Sequence, residues 1–243
     1  MLLEDGVSLT FDNVTSSGTT IVSTSDSGPL PPTGFQLGDP PVYYDISTTA
    51  TFTGPVVICF DYDDSAFLIE EGLRLQHQED SAWVDVTSSL DTVANRLCGT
   101  VTSLSLFLPV ELIPDDDFDG DGCTNAAELQ PNAVAGGDRD PLSFWDFNDQ
   151  WIDGGRNRTI TVGDMGAVVA RFGTFRDPAP TKGEALAQAL TAPPDLTSYH
   201  ASADRAGSAG PNPWNLLPPN GTITVGDLGA VVAQFGHTCA GST

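Results

Sequence analysis

Twelve residues, DFDGDGCTNAAE at positions 117–128, contain the oxygen ligands and the glycine that a calcium-binding loop needs. Calcium takes about six to eight oxygen ligands, and an EF-hand loop supplies them from positions 1, 3, 5, 7, 9 and 12, with glycine at position 6. The candidate ligands here, with Cys123 offering its main-chain carbonyl, are Asp117, Asp119, Asp121, Cys123, Asn125 and Glu128. Gly122 takes position 6. The spacing predicts a calcium site, because a solvated acidic linker would explain neither the glycine nor the glutamate.

A fifteen-residue segment is duplicated in the second half of the chain. TITVGDMGAVVARFG at 159–173 recurs as TITVGDLGAVVAQFG at 222–236, with an offset of 63 residues and thirteen identities. Apolar residues at a 3-4-3 spacing predict one short helix per copy with a single apolar face. These faces consist of Val162, Met165, Val169 and Phe172 in one copy, and of Val225, Leu228, Val232 and Phe235 in the other. Such short helices are unstable alone, so we expect the copies to pack about a pseudo-twofold axis, with a third helix near 183–191.

Each copy begins with a second, less regular candidate loop. With Asp164 or Asp227 as position 12, the same residue types recur at positions 5, 7 and 9. The candidate ligands are Asn157, Thr159 through its carbonyl, Thr161 and Asp164 in the first copy, and Asn220, Thr222, Thr224 and Asp227 in the second. Position 1 is irregular, so a more distant residue is expected to enter. It is Asp149 or Asp146 in the first copy, and Asp204 or Asn215 in the second.

The alternative for each repeat is a plain turn in which Asp164 and Asp227 act as helix N-caps. That alternative does not account for the recurring Asn-x-Thr before each aspartate. Together with the loop at 117–128, the two repeats predict about three calcium ions as the only cofactors.

The composition excludes several classes of function. The 243 residues include 33 acidic and 9 basic side chains, a formal charge of −24, which would repel nucleic acid and anionic lipid surfaces. No run of 18 apolar residues exists, so no membrane insertion is predicted. The four cysteines lack metal-type spacing, and in this acidic, Ser/Thr/Gly/Pro-rich chain they favour two disulfides. Among three possible pairings we favour Cys59–Cys98 and Cys123–Cys239, because each pair falls within one half of the chain.

The two halves of the chain follow different patterns. Residues 5–113 contain eight short β-branched or aromatic runs separated by turn residues, and this predicts a mainly β domain, an antiparallel β-sandwich. Segment 28–41 is too rich in proline for a central strand and is predicted to be a surface connection. Strand patterning stops near Pro114. The second domain, 114–243, with repeat units at 144–173 and 213–236, is therefore predicted to be loop-rich with short paired helices.

The second half resembles the dockerin-type, calcium-binding C-terminal modules of secreted bacterial proteins. The resemblance rests on DFDGDGCTNAAE, on GGDRDPLSFWDFND and on the paired TITVGD(M/L)GAVVA(R/Q)FG, and covers residues 115–240. A dockerin has two loop-plus-helix repeats, so the resemblance implies calcium ligands at Asp164 and Asp227 and a cohesin-type receptor as partner. This chain departs from the pattern by a longer linker between the repeats, irregular positions 1 and 3, and the additional loop before both. The first half resembles β-sandwich modules found before such ends in large bacterial surface proteins.

Other groups that could do chemistry have simpler structural explanations. The three histidines are far apart in the sequence and no GxSxG motif is present, so no enzyme is predicted. We expect His77 at the surface of a strand. The aspartates of FDYDDSAF are typical of a turn at a strand end, although they could also form a carboxylate pair or bind calcium. Tyr43, Tyr44 and Trp83 could form a carbohydrate-stacking face, but such residues more often pack in a core or across strands.

These features predict an extracellular or cell-surface protein, non-enzymatic, in which calcium orders a small domain that cannot bury enough apolar surface by itself. Two classes of protein partner follow. The chain either assembles with its own copies in a surface layer, fibre or large adhesin, or it acts as an adaptor that docks a cohesin-like receptor.

Overall fold

The computed structural model describes residues 6–208 and 210–239, and the chain divides into two compact units between Pro114 and Asp115. The first unit is built from antiparallel strands. They are β1 Val7–Ser16, β2 Thr20–Ser25, β3 Phe35–Leu37, β4 Tyr43–Thr48, β5 Thr51–Asp61, β6 Leu73–Glu79, β7 Ala82–Asp85, β8 Thr87–Asp91, β9 Arg96–Val101 and β10 Leu106–Leu112. Every predicted run overlaps at least one strand, so the mainly β, antiparallel prediction is confirmed.

Two sheets share one apolar core. One sheet has the strand order β1-β5-β9-β8, and the other has the order β2-β4-β10-β6-β7, with β3 paired to β10. Buried residues of both sheets, among them Leu9, Ile58, Leu75 and Phe107, form a single cluster. The predicted run AWVDVTS forms two strands rather than one, because β7 pairs with β6 whereas β8 crosses to β9 in the other sheet.

Segment 28–41 covers part of the six-stranded sheet. It contains β3, which pairs with the end of β10, and its carbonyls at Pro29 and Leu30 accept hydrogen bonds from the Tyr43 hydroxyl and the Trp83 indole at 2.8 and 2.7 Å. Tyr43 and Trp83 belong to a second apolar cluster, while Tyr44 lies in the core between the sheets. The three aromatic residues that could have formed a carbohydrate-stacking face are therefore engaged in packing, and two of them also in hydrogen bonds.

The described part of the second unit contains four α-helices and a small two-stranded ladder. The helices are α1 Asn125–Leu129, α2 Val162–Val169, α3 Lys182–Ala189 and α4 Val225–Val232, and the ladder pairs β11 Ala206–Ser208 with β12 Leu216–Leu217. The helix predicted near 183–191 is α3. No helix among the described residues is long and apolar enough to cross a membrane.

The two copies of the repeat contact each other, as their short helices require, through reciprocal main-chain hydrogen bonds. The amide of Ile160 donates to the carbonyl of His237, and the amide of Ile223, the equivalent residue of the second copy, donates to Thr174. Single bridges pair Thr159 with Thr238 and Phe175 with Thr222. The two hydrogen bonds are related to each other by the 63-residue offset of the repeat, and so are the two bridges. The copies are therefore joined with pseudo-twofold symmetry.

The apolar faces predicted for the repeat helices are wrong except at Met165 and Leu228, which pack against the shared core. Val162 and Val225 are 72% and 76% exposed, and the two phenylalanines of these faces are also exposed. The buried face of each helix instead carries Asp164, Ala167 and Val168, or their equivalents in α4. A search for apolar stripes misses this face because its first member is an aspartate whose carboxylate turns inward.

Both predicted disulfides are present. Cys59 and Cys98 lie directly opposite each other on neighbouring strands β5 and β9. Cys123 and Cys239 join the loop at 117–128 to the segment that follows the second repeat, and both are fully buried in the same cluster as Ile160 and Ile223. The second bond therefore connects the candidate metal loop to the paired repeats.

Candidate metal centre

Four carboxylates converge in the second unit. Ligand oxygens of Asp119, Asp121, Glu128 and Asp146 all lie within 4.8 Å of one another. Asp121, Glu128 and Asp146 are at most 1% exposed. Among the described residues, no other group of three or more potential ligands meets this distance.

The loop holds its aspartates in place with main-chain amides. Oδ1 of Asp119 accepts a hydrogen bond from the amide of Asp121 at 3.0 Å, and Oδ1 of Asp121 accepts from Cys123 at 2.7 Å. Asp117 accepts from the amides of Gly120 and Gly122 at 2.8 and 2.9 Å. Gly122 has φ of +109°, a backbone conformation that favours glycine. The glycine at position 6 is therefore explained by the turn that brings the acids together.

The two ends of the loop meet. The amide of Phe118 donates to the side-chain oxygen of Asn125 at 3.2 Å, and the amide of Asn125 donates to the carbonyl of Asp116 at 2.8 Å. Asn125 then begins α1, which Thr124 caps through its hydroxyl. This short helix places Glu128 against the aspartates.

Five carboxylate oxygens of the cluster are buried and have no hydrogen-bond partner in the protein. They are Oδ2 of Asp119, Oδ2 of Asp121, both oxygens of Glu128 and Oδ1 of Asp146. Unpaired buried charge is costly, so buried carboxylates are normally paired, hydrogen-bonded or bound to metal. None of the ion pairs formed by described residues involves these four side chains.

Two arginines whose charges act on Asp121 do not neutralise the cluster by direct pairing. Arg139 donates to the carbonyls of Ala133, Gly137 and Asp146, and to side chains of the second repeat. Arg156 donates to the carbonyls of Asp121 and Gly120. Both guanidinium groups therefore hold the main chain around the carboxylates and leave the five oxygens available.

Burial and mutual repulsion raise the proton affinity of the cluster. Burial, followed by the charge of Asp121, raises the pKa of Asp119 to about 10, and the same two causes raise the pKa of Glu128 to about 12. Burial raises the pKa of Asp121 to about 7 and moves that of Asp146 well above its usual range. Without a cation Asp119 and Glu128 therefore retain protons near neutral pH, because four buried negative charges cannot coexist so close together.

The first repeat brings Asp149 and Asp164 together. The amide of Gln150 donates to Oδ1 of Asp164 at 2.7 Å, and the amide of Arg158 donates to Oδ2 of Asp149 at 2.5 Å. Oδ1 of Asp149 is buried without a partner. Burial, opposed by the Arg158 amide and reinforced by the charge of Asp164, raises the pKa of Asp149 to about 7. Asp149, and not Asp146, is thus the distant acid beside Asp164.

The second repeat makes the equivalent arrangement with Asp204 and Asp227. The amide of Arg205 donates to Oδ1 of Asp227, and the amide of Gly221 donates to Oδ2 of Asp204 at 2.7 Å. Tyr199 also donates its hydroxyl to Asp204, at 2.9 Å. Asp204, and not Asn215, therefore occupies the place that Asp149 has in the first copy.

The other candidate ligands of the repeats contribute mainly to local structure. Thr161 and Thr224 are the helix N-caps, and each forms a capping box with the aspartate three residues later. The suggestion that the aspartates are themselves the caps is therefore wrong. Asn157 and Asn220 are exposed, and their side-chain oxygens accept from the amides of Thr159 and Thr222 at 2.9 and 3.0 Å.

The first unit contains a buried histidine within a chain of polar side chains that the sequence did not predict. His77 is fully buried rather than at the surface. Its two ring nitrogens lie 2.9 Å from the Ser105 hydroxyl and 3.1 Å from the Glu79 carboxylate. The Ser105 hydroxyl also donates to the carbonyl of Gln78 at 2.7 Å, so these contacts tie β6 to the residue before β10.

The aspartates of FDYDDSAF that could have formed a carboxylate pair also have local partners. Asp61 pairs with Arg96 at 2.5 Å. Asp63 caps the short 3₁₀ turn that follows, by accepting from the amide of Ser65 at 3.0 Å.

Comparison with known proteins gives no relative: no protein-family model, curated protein or solved structure matches this chain. The geometry of the four carboxylates is therefore the main evidence for function.

Proposed function

We propose that this chain is a non-enzymatic, extracellular, calcium-stabilised module of a cell-surface or filament-forming protein. The observation that carries the proposal is the set of five buried, unpartnered carboxylate oxygens on Asp119, Asp121, Glu128 and Asp146. Only oxygen ligands converge there, and carboxylate oxygens favour calcium and other hard cations over the metals that prefer sulfur or imidazole.

The residues present fit a calcium ion. Glu128 at position 12 has two free oxygens, and Asp119, Asp121 and Asp146 have one each. The cation would balance negative charge that no arginine pairs with directly. Its binding free energy would then contribute to folding, because the unfolded chain does not bring these oxygens together.

A structural role for calcium suits the construction of the second unit. The Cys123–Cys239 disulfide ties the loop to the repeats. Arg139 ties a neighbouring segment to them by hydrogen bonds to Gln234 and His237. The repeats in turn carry two further aspartate pairs, which we propose as the remaining calcium sites. The two disulfides support an extracellular location, where both oxidising conditions and calcium are found.

Metal analysis and thermal melting of the full chain test the proposal. We expect bound calcium in the purified protein and a lower melting temperature in EDTA, since a ligand at about 100 times its Kd stabilises by about 2.7 kcal/mol. Glu128→Gln should weaken binding, whereas Glu184→Gln, which removes a carboxylate at an exposed helix start, should not. A chain that binds no calcium, or melts identically in EDTA, would contradict the proposal.

A second candidate function is an adaptor that docks a receptor through the repeat helices. One observation favours it: Val169, Phe172, Val232 and Phe235 are 41–57% exposed on α2, α4 and the turns that follow them, so pairing of the copies leaves two equivalent apolar faces uncovered. The opposite side of each helix faces the shared core, through Val168 in α2 and its equivalent Val231 in α4.

Size measurement of the pure protein with and without chelator separates the two functions. Calcium-dependent filaments or sheets support the structural module. A monodisperse chain that captures a purified cohesin-type domain, and loses it on Val232→Asp but not on Ser89→Asp in the first unit, supports the adaptor.

A further inference from the structure

Asp146 does not belong to the twelve-residue loop, yet it completes the carboxylate cluster. It lies 18 residues after Glu128 and is 1% exposed. Its Oδ2 accepts a hydrogen bond from the amide of Asp140 at 2.7 Å. Its Oδ1 has no partner, although a ligand oxygen of Asp146 lies within 4.8 Å of the oxygens of Asp119, Asp121 and Glu128.

The fold holds the main chain at Asp146 as firmly as its side chain. Arg139, which is 5% exposed, donates its Nε to the carbonyl of Asp146 at 3.2 Å. The amide of Asp146 donates to the carbonyl of Ser143 at 3.2 Å. Residues 144–150 are all buried. The position of the carboxylate is therefore set by its own segment as well as by the loop.

The same segment also supplies an acid to the first repeat. Asp149, three residues further on, has its carboxylate beside Asp164. Between them, the amide of Asn148 donates to Gln234 of the second copy at 3.2 Å. Segment 144–150 therefore connects the loop at 117–128 with both copies of the repeat.

We propose that Asp146 is a ligand of the cation held by the loop at 117–128, supplied from outside the loop. This inference rests on the calcium function proposed above. The ion then does more than close a twelve-residue loop, because it crosslinks that loop to segment 144–150 and fixes the main chain that presents Asp149 to the first repeat.

A cleft borders this side chain. It has a volume of about 160 Å³ and is lined by Asp140, Ser143, Asp146, Gly210, Asn215 and Leu216. The side-chain oxygen of Asn215 is buried without a partner.

Hydrogen exchange of the full chain during a calcium titration tests the inference, with Asp146→Asn as the variant and Asp116→Asn as the matched control. Asp116 is an exposed acid directly before the loop, so its replacement removes the same charge. In the wild type, calcium should protect 117–128 and 144–150 with the same midpoint. Asp146→Asn should raise that midpoint at least about 10-fold and should uncouple 144–150 from the loop, and Asp116→Asn should change neither.

The possible failures can be told apart. No protection of 117–128 by calcium in the wild type would overturn the calcium function itself. Protection of 117–128 alone, with 144–150 unchanged, would overturn the role of Asp146 without any variant. Equal midpoints in Asp146→Asn and Asp116→Asn would overturn it as well. Replacement of one of four repelling carboxylates by an amide should not unfold the calcium-free chain, and melting of the variant in EDTA checks this.

Discussion

Three aspartates of the cluster divide their oxygens between the protein and the centre of the site. In Asp119, Asp121 and Asp146 one oxygen accepts a main-chain amide and the other has no partner, while both oxygens of Glu128 are free. The amides fix each carboxylate in orientation, so the free oxygens are arranged before any ion binds. This preorganisation reduces the ordering that binding would otherwise require.

The proton affinities of these side chains give a pH dependence whose sign depends on calcium. In the calcium-free protein the pKa values of Asp119 and Glu128 are raised to about 10 and about 12, so the folded chain binds protons that the unfolded chain has released above its ordinary pKa near 4. The contribution of these two groups to stability is then greatest at low pH and falls as pH rises toward their folded pKa values. His200, whose pKa is lowered to about 4, acts in the opposite direction, but only below about pH 6.5.

We therefore expect the melting temperature of the chelated protein to fall between pH 7 and pH 9, above the range of His200. With saturating calcium the carboxylates are ionised in both states, and the fall should disappear. Calorimetric melting at the two pH values, with and without calcium, measures both effects. A calcium-free protein that is equally stable at pH 7 and pH 9 would show that these carboxylates are not protonated in the folded chain.

At the residue scale the sequence predicts the loop but not its full ligand set. Spacing within twelve residues is a local property, and the turn at Gly122 and the inward aspartates follow from it. The position of Asp146 depends on the return of the chain through Arg139, which no local pattern encodes. The sequence named Asp146 only as an alternative to Asp149 for the first repeat.

At the scale of secondary-structure elements, alternating strands were easier to predict than helix faces. Strand runs such as VSLTFDNV have a two-residue period, and the buried sides of β1 follow it through Val7 and Leu9. The repeat helices have two faces with apolar residues, and the one that is buried begins with Asp164 or Asp227. Its aspartate is held inward by the local capping box and also by the amide of Gln150 or Arg205. The second contact is tertiary, and helix propensity does not encode it.

A matched pair of substitutions tests this assignment of the helix faces. Val231→Ala trims a fully buried side chain of α4 in the shared core and should lower the free energy of unfolding by about 1.5–3 kcal/mol. Val225→Ala, six residues earlier in the same helix, trims a side chain that is 76% exposed and should change it by no more than about 0.5 kcal/mol. Denaturant unfolding in saturating calcium compares them. Equal losses would mean that the predicted apolar stripe, and not Val168 and Val231, faces the core.

At the scale of the whole molecule, the chain consists of two units, each with its own disulfide. The units divide where the strand pattern ends, and the favoured cysteine pairing is confirmed because each pair lies within one unit. The pairing was predictable from position along the chain. The sequence could not predict whether Cys59 and Cys98 would join neighbouring strands or opposite sheets, because that depends on the strand order.

Opening each disulfide in turn should affect calcium binding differently. Cys123 and Cys239 are 116 residues apart and Cys59 and Cys98 are 39 apart, so loop closure alone contributes up to about 5 and about 4 kcal/mol, respectively. Only the double variant Cys123→Ser/Cys239→Ser should also weaken calcium binding, because it frees the loop from the repeats. Isothermal calorimetry of the two double variants measures this. A larger loss of affinity in Cys59→Ser/Cys98→Ser would contradict it.

The reciprocal hydrogen bonds between the copies mean that neither copy is a complete half. The loop of the first copy is closed by residues that follow the helix of the second, and the loop of the second by residues that follow the helix of the first. A fragment cut off after Phe175 would keep a helix but lose His237, the partner of Ile160, and would have to use the equivalent Thr174 of a second fragment. The tandem repeat thus has the geometry of a homodimer joined into one polypeptide, in which the linker takes the place of an encounter between two chains.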